Sequence, residues 1–374
     1  MGQRNMSESR SSLPVRRNPP KPVEENPAHV SDRTKSGTLL LPTGCKLLNA
    51  ALSDNISGGY GAGRLVNMIG DSSAGKSMLA LTGMAEMAND PRFDDYILLY
   101  DGCEPPDFDL VRLFGRKLAA RLNEGHNYVA DVCSLDEYAP PETIQQYYGR
   151  MLQLLEGGRP IFGVLDSFDA ITTTEELARA ADMAKGKETG SYKMEKARWA
   201  SEVLRVLSVK IEKTKSAIVI ISQTRDNIEP IGFQKKTRAG GKALEFYACH
   251  IFWLAKAGQI QATNKMKIGS KIIAKTTKNK LTGKWRDVQF PIYYQIGVDD
   301  IGSAVDHLLD NSSYWKKSGP QIQCPDLDLK GYRNDVLKSI EENPQLWAEV
   351  QRQLQEAWDD QERKADINRK PRFT

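Results

Sequence analysis

An α/β fold built on a mainly parallel, twisted sheet is predicted by three features of this 374-residue sequence. Apolar runs of strand length alternate with longer segments of helical period, the pattern of parallel strands whose sheet is covered by helices on both faces. The first strong run, Leu65–Ile69, passes directly into Gly70, four further residues, and then Gly75, Lys76 and Ser77, which completes a P-loop. Both ends of the chain depart from the alternation. A core over residues 38–310 is therefore expected between an N-terminal arm, 1–37, and a C-terminal helical appendage, 311–374.

The arm is rich in Pro, Ser and charge, with seven basic and four acidic side chains. It offers too little apolar surface to offset the entropy of ordering, so a disordered or partner-dependent basic segment is expected. Within the core, strands are predicted at Leu65–Ile69, Tyr96–Tyr100, Tyr128–Val132, Ile161–Leu165, Ala217–Ser222, Ile251–Leu254, Ile272–Thr276 and Val288–Tyr293. Helices are predicted at Ser77–Asn89, Pro141–Glu156 and Met194–Thr214. In the last of these Ala197, Ala200, Leu204, Leu207 and Ile211 recur at helical spacing. The final strands follow one another closely, which predicts an antiparallel extension of the parallel sheet. Beyond Asp310, Asn343-Pro344 opens a helix with Leu346, Val350, Leu354 and Trp358 on one face. Ten acidic residues oppose five basic ones from Asp326 to Arg363, giving this element an acidic surface.

Composition excludes several classes. The five cysteines are odd in number and form no C-x-x-C pair, which argues against a disulfide framework and a zinc site. The four histidines lack metal-ligand spacing, no apolar run approaches the ~20 residues of a membrane span, and no signal-peptide core opens the chain. A soluble cytoplasmic protein with no membrane association is expected. The net charge of +4 is small, so a polyanion would have to be held by local clusters.

The chemistry begins at the P-loop. In Gly70, Asp71, Ser72, Ser73, Ala74, Gly75, Lys76, Ser77 and Met78, the glycines let successive N–H groups and a helix N-terminus face phosphate oxygens. Lys76 is placed to reach the β- and γ-phosphates and the Ser77 hydroxyl to ligate Mg²⁺, so a nucleoside triphosphate and Mg²⁺ are expected, and the family resemblance given below makes the nucleotide ATP. Asp166 ends the run IFGVLD, where a carboxylate would hold the same ion. After Tyr96–Tyr100 comes DGCEPPD, whose Asp101 or Glu104 is a candidate to orient or deprotonate the attacking water. The run IVIISQ ends at Gln223, whose amide could sense the γ-phosphate. The following segment, Thr224 to Lys242, carries five basic residues, among them Arg225, Lys235, Lys236 and Arg238, against two acidic ones, and closes on Gly240-Gly241. A cationic, glycine-containing loop beside a nucleotide sensor can convert nucleotide state into affinity for a polyanion.

From about Gly37 to Leu309 the chain resembles the RecA recombinase family. The resemblance is carried by TGCKLLNAALSDNISGGYGAGRLVNMIGDSSAGKS, VLDSFDAI, IISQTR, TRAGGKALEFYACHIFWL and TTKNKLTGKWRDVQF. A P-loop is shared by many ATPases, whereas the ordered run of the last three segments is peculiar to this family. The poorly matched termini and the insertion at Asp54–Gly61 look closer to bacteriophage recombinases, which would place the protein in host cytoplasm. The resemblance implies a RecA-like ATPase core, DNA-dependent ATP hydrolysis, and homo-oligomeric helical filaments on single-stranded DNA. It also implies pairing and strand exchange with double-stranded DNA, in recombination and repair, and a single-strand-binding protein or loader as an accessory partner. It further implies that Lys278 and Lys280 contact ATP bound to the neighbouring subunit, that Phe246 relays nucleotide state across that interface, and that Asp107 contacts adenine. The first DNA loop corresponds to about 181–194, with Lys185, Lys187 and Lys193, and the second to about 227–240.

The pattern departs from the family in two places. Aligned without gaps, the family's catalytic glutamate falls on Cys103, and the carboxylate appears one position later as Glu104. Residues 1–37 contain no apolar polymerisation helix. Two other readings of the same core are a helicase-like DNA motor and a non-catalytic mediator that binds single-stranded DNA.

Overall fold

The structure, a computed structural model, describes residues 31–102, 108–122, 141–186, 195–226, 236–238, 241–367, 369 and 372. Strands β1 (Leu40–Leu41) and β2 (Tyr60–Gly61) form an antiparallel pair around helix α1 (Lys46–Ser53). Then β3 (Arg64–Gly70) leads through the P-loop into α2 (Lys76–Asn89), and β4 (Ile97–Gly102) precedes α3 (Leu110–Leu122), which breaks at Gly115, φ 83°. Helix α4 (Ile144–Glu156) enters β5 (Ile161–Asp166); α5 (Thr174–Ala184) and α6 (Glu195–Thr214) enter β6 (Ala217–Asp226). Reciprocal caps fix two of these starts. Thr143 with Gln146 opens α4, and Thr173 with Glu176 opens α5.

A short β7 (Lys236–Arg238) pairs antiparallel with β6, and α7 (Gly241–Tyr247) leads into β8 (His250–Gln261), β9 (Lys267–Asn279), β10 (Asp287–Tyr293) and β11 (Gly297–Val298). The main sheet runs in the order β11-β10-β9-β8-β3-β6-β5-β4, parallel from β8 to β4 and antiparallel from β8 to β11. This is the expected parallel core with an antiparallel extension. The expected strand at Tyr128–Val132 lies outside the described residues.

Period-two alternation sorts the strand side chains between two helix layers. Val66, Met68, Leu98, Tyr100, Phe162, Val164, Val219 and Ile221 face a core shared with α2, α3 and α8 (Asp300–Asn311), while Leu65, Leu99, Leu165, Ile218 and Ile220 face α4 and α6. Because β3, β5 and β6 are parallel and adjacent, their carboxyl ends lie together at one edge of the sheet, where such folds hold ligands.

The C-terminal segment differs from the helical appendage expected. It forms a three-stranded antiparallel sheet, β12 (Lys316–Ser318), β13 (Gln321–Cys324) and β14 (Leu329–Tyr332), ahead of α9 (Arg333–Glu341) and α10 (Pro344–Lys364). Strands of three or four residues carry too few alternations to be read as strands. Its Trp315, Ile340, Val350, Leu354 and Trp358 join the same buried cluster as α1 and α8. Lys284 and Arg286 also reach Glu362 at 2.7 Å each.

Candidate nucleotide site and the loops beside it

The P-loop turns sharply between β3 and α2. Gly75, at the N-cap of α2, has φ 84°, a left-handed conformation that favours glycine, and a Cβ there would also press on the tip of Ile292 at 2.4 Å. Ser73 also adopts a left-handed conformation, φ 61°. Lys76 is buried and folds back into the loop: its Nζ donates to the Gly70 carbonyl at 2.9 Å and the Asp71 carbonyl at 2.7 Å. Burial pulls its ammonium below the ordinary lysine range, and Asp166, Asp71 and Asp169 offset part of that pull.

Ser77 and Asp166 meet as expected. The Ser77 hydroxyl donates to Asp166 Oδ2 at 2.5 Å, and the Tyr100 hydroxyl donates to the same oxygen at 2.6 Å. Burial holds the Tyr100 hydroxyl well above the usual tyrosine range, and the Asp166 charge adds to this. Tyr100 therefore stays a donor, which orients the carboxylate. Sequence reasoning missed Tyr100 because an aromatic at a strand end reads as core.

Asp101 does not join this cluster. It is fully buried one residue on, so the strand turns it to the opposite face of the sheet, where Arg150 Nη1 of α4 meets its Oδ1 at 2.9 Å. That pairing removes Asp101 as a candidate for water activation beside the P-loop. Cys103, Glu104 and Asp107 lie outside the described residues.

One strand across, Gln223 is the register partner of Gly70. Its backbone N–H donates to Asp169 Oδ2 at 2.7 Å and its side chain is exposed. The next residue, Thr224, donates its hydroxyl to Asp71 Oδ1, a contact from the motif SQTR to the P-loop that the sequence did not suggest. Thr224, Arg225 and Asp226 pair with Arg238, Thr237 and Lys236, so the second loop is carried by a two-stranded ribbon. The backbones of Arg225, Lys236, Arg238 and Gly241 lie on β6, β7 and α7, whereas Lys235 and Gly240 fall outside the described residues. Lys185 is exposed at the C-cap of α5, within the 181–194 segment expected to form the first loop; Lys187 and Lys193 also fall outside the described residues.

Lys278, Lys280 and Phe246 come together at the other end of the sheet. Lys278 Nζ donates to the carbonyls of Glu245 and Phe246, the latter at 3.1 Å, and Lys280 Nζ to that of Phe246 at 3.3 Å. These carbonyls end α7, where the helix dipole favours cations. Phe246 projects outward, 71% exposed.

Among the described residues, no group of three or more His, Cys, Asp or Glu side chains could hold a metal, and no helix is long and apolar enough to cross a membrane. A P-loop hydroxyl beside one carboxylate suits Mg²⁺, which keeps waters and phosphate oxygens as its other ligands.

Comparison with known proteins adds to this geometry. The family model described as the RecA N-terminal domain matches residues 141–299, which include Asp166, Gln223, Lys278 and Lys280. Protein RecA of Bacteroides thetaiotaomicron is 29% identical over 323 residues, covering 85% of this chain and 87% of that protein. Protein RecA of Caldanaerobacter subterraneus is 26% identical over 333 residues, 87% of each chain, and that of Lactobacillus johnsonii 27% identical over 318 residues, 85% of this chain and 80% of the other. The chain is thus similar to RecA proteins over most of its length. The P-loop, the strand-end carboxylate and the glutamine lie on neighbouring strands of this chain, and the lysine pair lies at the far end of the same sheet.

Proposed function

We propose that this chain is an ATP-dependent recombinase that forms helical filaments on single-stranded DNA and promotes pairing and strand exchange with a homologous duplex. One observation carries the reading: Gly70 and Gln223 are register partners, so the phosphate loop and the root of the basic second loop are separated by a single strand spacing. A change at the phosphates can then reach the DNA-binding ribbon without crossing the core.

ATP with Mg²⁺ supplies the phosphoanhydride whose hydrolysis ends the state of high DNA affinity. Lys76 would exchange its loop carbonyls for phosphate oxygens, Ser77 and Asp166 would hold the ion, and Tyr100 would keep Asp166 oriented. With Asp101 committed to Arg150, Glu104 is the remaining carboxylate of its cluster to accept a proton from water, and Asp107 takes the adenine contact. Lys278 stands opposite Ile251, itself opposite Asn67, three residues before Gly70. That separation, about 10 Å along the strands and two strand spacings across, supports action on a neighbour's nucleotide rather than the chain's own. Arg225, Lys235, Lys236 and Arg238 on one loop and Lys185, Lys187 and Lys193 on the other would meet the DNA backbone without reading sequence. The activity fits a cytoplasmic, bacteriophage-type enzyme working with a single-strand-binding protein or loader.

Electron microscopy with single-stranded DNA tests the reading. Long filaments that require ATP are expected. Closed rings would point instead to a DNA motor, and ATP-independent coating of the strand to a non-catalytic mediator.

A further inference from the structure

Asp71 is tied down at both ends. Its backbone carbonyl accepts from Lys76 Nζ, and its carboxylate accepts from Thr224, which sits at the root of the β6–β7 ribbon opposite Arg238. We propose that the Asp71–Thr224 hydrogen bond is a restraint that holds the ribbon in a low-affinity posture until phosphates displace it, and that Thr224 is therefore a positioning residue for DNA binding. This rests on the recombinase reading. Phosphates that recruit Lys76 take it from the Asp71 carbonyl and so free the peptide that bears the carboxylate. They also bring negative charge to the loop in which that carboxylate stands, and like charges repel at short range. Both effects weaken the bond to Thr224, and the strand end that follows Gln223 is released. Gln223 then reports the phosphates positively while Thr224 yields to them, two opposite responses on consecutive residues of one strand.

The test uses the full chain and three variants. Thr224→Val keeps the β-branched shape and removes the donor, Thr224→Ser keeps the donor, and Asp71→Asn removes the charge. Affinity for a labelled oligothymidylate is measured without nucleotide and with a non-hydrolysable ATP analogue. Thr224→Val should bind the oligonucleotide about tenfold more tightly than wild type without nucleotide, the scale of one hydrogen bond to a charged group. Its affinity with the analogue should stay within about twofold of wild type, so the stimulation ratio contracts about tenfold, and Thr224→Ser should restore the wild-type ratio. In thermal unfolding without nucleotide, the effects of Thr224→Val and Asp71→Asn should be non-additive. Additive effects, an unchanged ratio, or a ratio lost through weaker binding with the analogue would overturn the restraint. If the wild-type protein itself shows no nucleotide-dependent binding, the recombinase reading falls with it; a normal wild-type ratio that persists in Thr224→Val removes the restraint alone.

Discussion

The two ends of the main sheet treat their cations in opposite ways. At the carboxyl ends of the strands, Lys76 is buried and wrapped by its own loop, and Ser77, Tyr100 and Asp166 share one oxygen. At the amino end of β8, Lys278 and Lys280 rest on helix-terminal carbonyls beside an aromatic ring that stands largely in solvent. At one end the cation is enclosed by groups of its own chain; at the other a set of donors and an apolar side chain are turned outward. Substitutions at the first should act on each chain separately, and substitutions at the second only through assembly.

The largest effect that sharpens this contrast is expected for Lys76→Ala, which should abolish ATP-dependent DNA binding while circular dichroism stays native, because the lysine serves phosphates and not the core. Unchanged nucleotide affinity would remove the cradle assignment. Glu104→Gln should leave ATP-dependent DNA binding intact and slow hydrolysis by about 10²–10⁴-fold, the usual loss for a general base. A wild-type rate in single-turnover assays would exclude Glu104 from water activation.

The double variant Lys278→Ala, Lys280→Ala should retain nucleotide binding by the free chain and lose about 10²-fold in DNA-stimulated hydrolysis. Mixed with Lys76→Ala it should recover activity above the sum of the two, since some interfaces then pair an intact cradle with intact lysines. Failure to recover despite co-assembly would place the lysines in cis. The smallest effect concerns stability near that end. His250, buried at the start of β8, is held down to about 4 by burial, against an ordinary histidine value of about 6.5. The unfolded chain binds this proton first, so stability is full above about pH 6.5 and declines as pH falls toward 4, by roughly 3 kcal/mol. In His250→Gln, thermal unfolding between pH 7.5 and 5 should lose that part of its slope.

The elements nearest the phosphates were legible because their chemistry constrains the residue types themselves. A P-loop needs glycine at Gly75 and a cation at Lys76 wherever it occurs, and Asp166 follows a run of five buried residues. Partnerships across the sheet were not legible. Asp101 and Glu104 look alike as carboxylates after a strand, and only the pleat, together with an arginine 49 positions away on α4, separates Asp101 from the P-loop side. Thr224 and Asp71 are 153 positions apart, and nothing in either neighbourhood announces the other. The small sheet at 316–332 escaped for a different reason: its strands are short and partly polar, and their order comes from Trp315, Ile322 and Cys324 packing against α9 and α10 rather than from local pattern.

That packing bears on how the chain is made. Trp315, Val350, Leu354 and Trp358 cover apolar side chains of α1 and α8, and Gln355 closes the contact by accepting the Ile56 N–H at 2.9 Å and donating to the Asp54 carbonyl at 3.1 Å. During synthesis the segment bearing the P-loop emerges long before the helix that seals it. Until that helix emerges, the part of the α1 and α8 cluster that it covers stays open to solvent. A chain truncated after Asp310 would keep Lys76, Ser77 and Asp166 but leave that apolar face bare, and exposed surface of this kind favours aggregation.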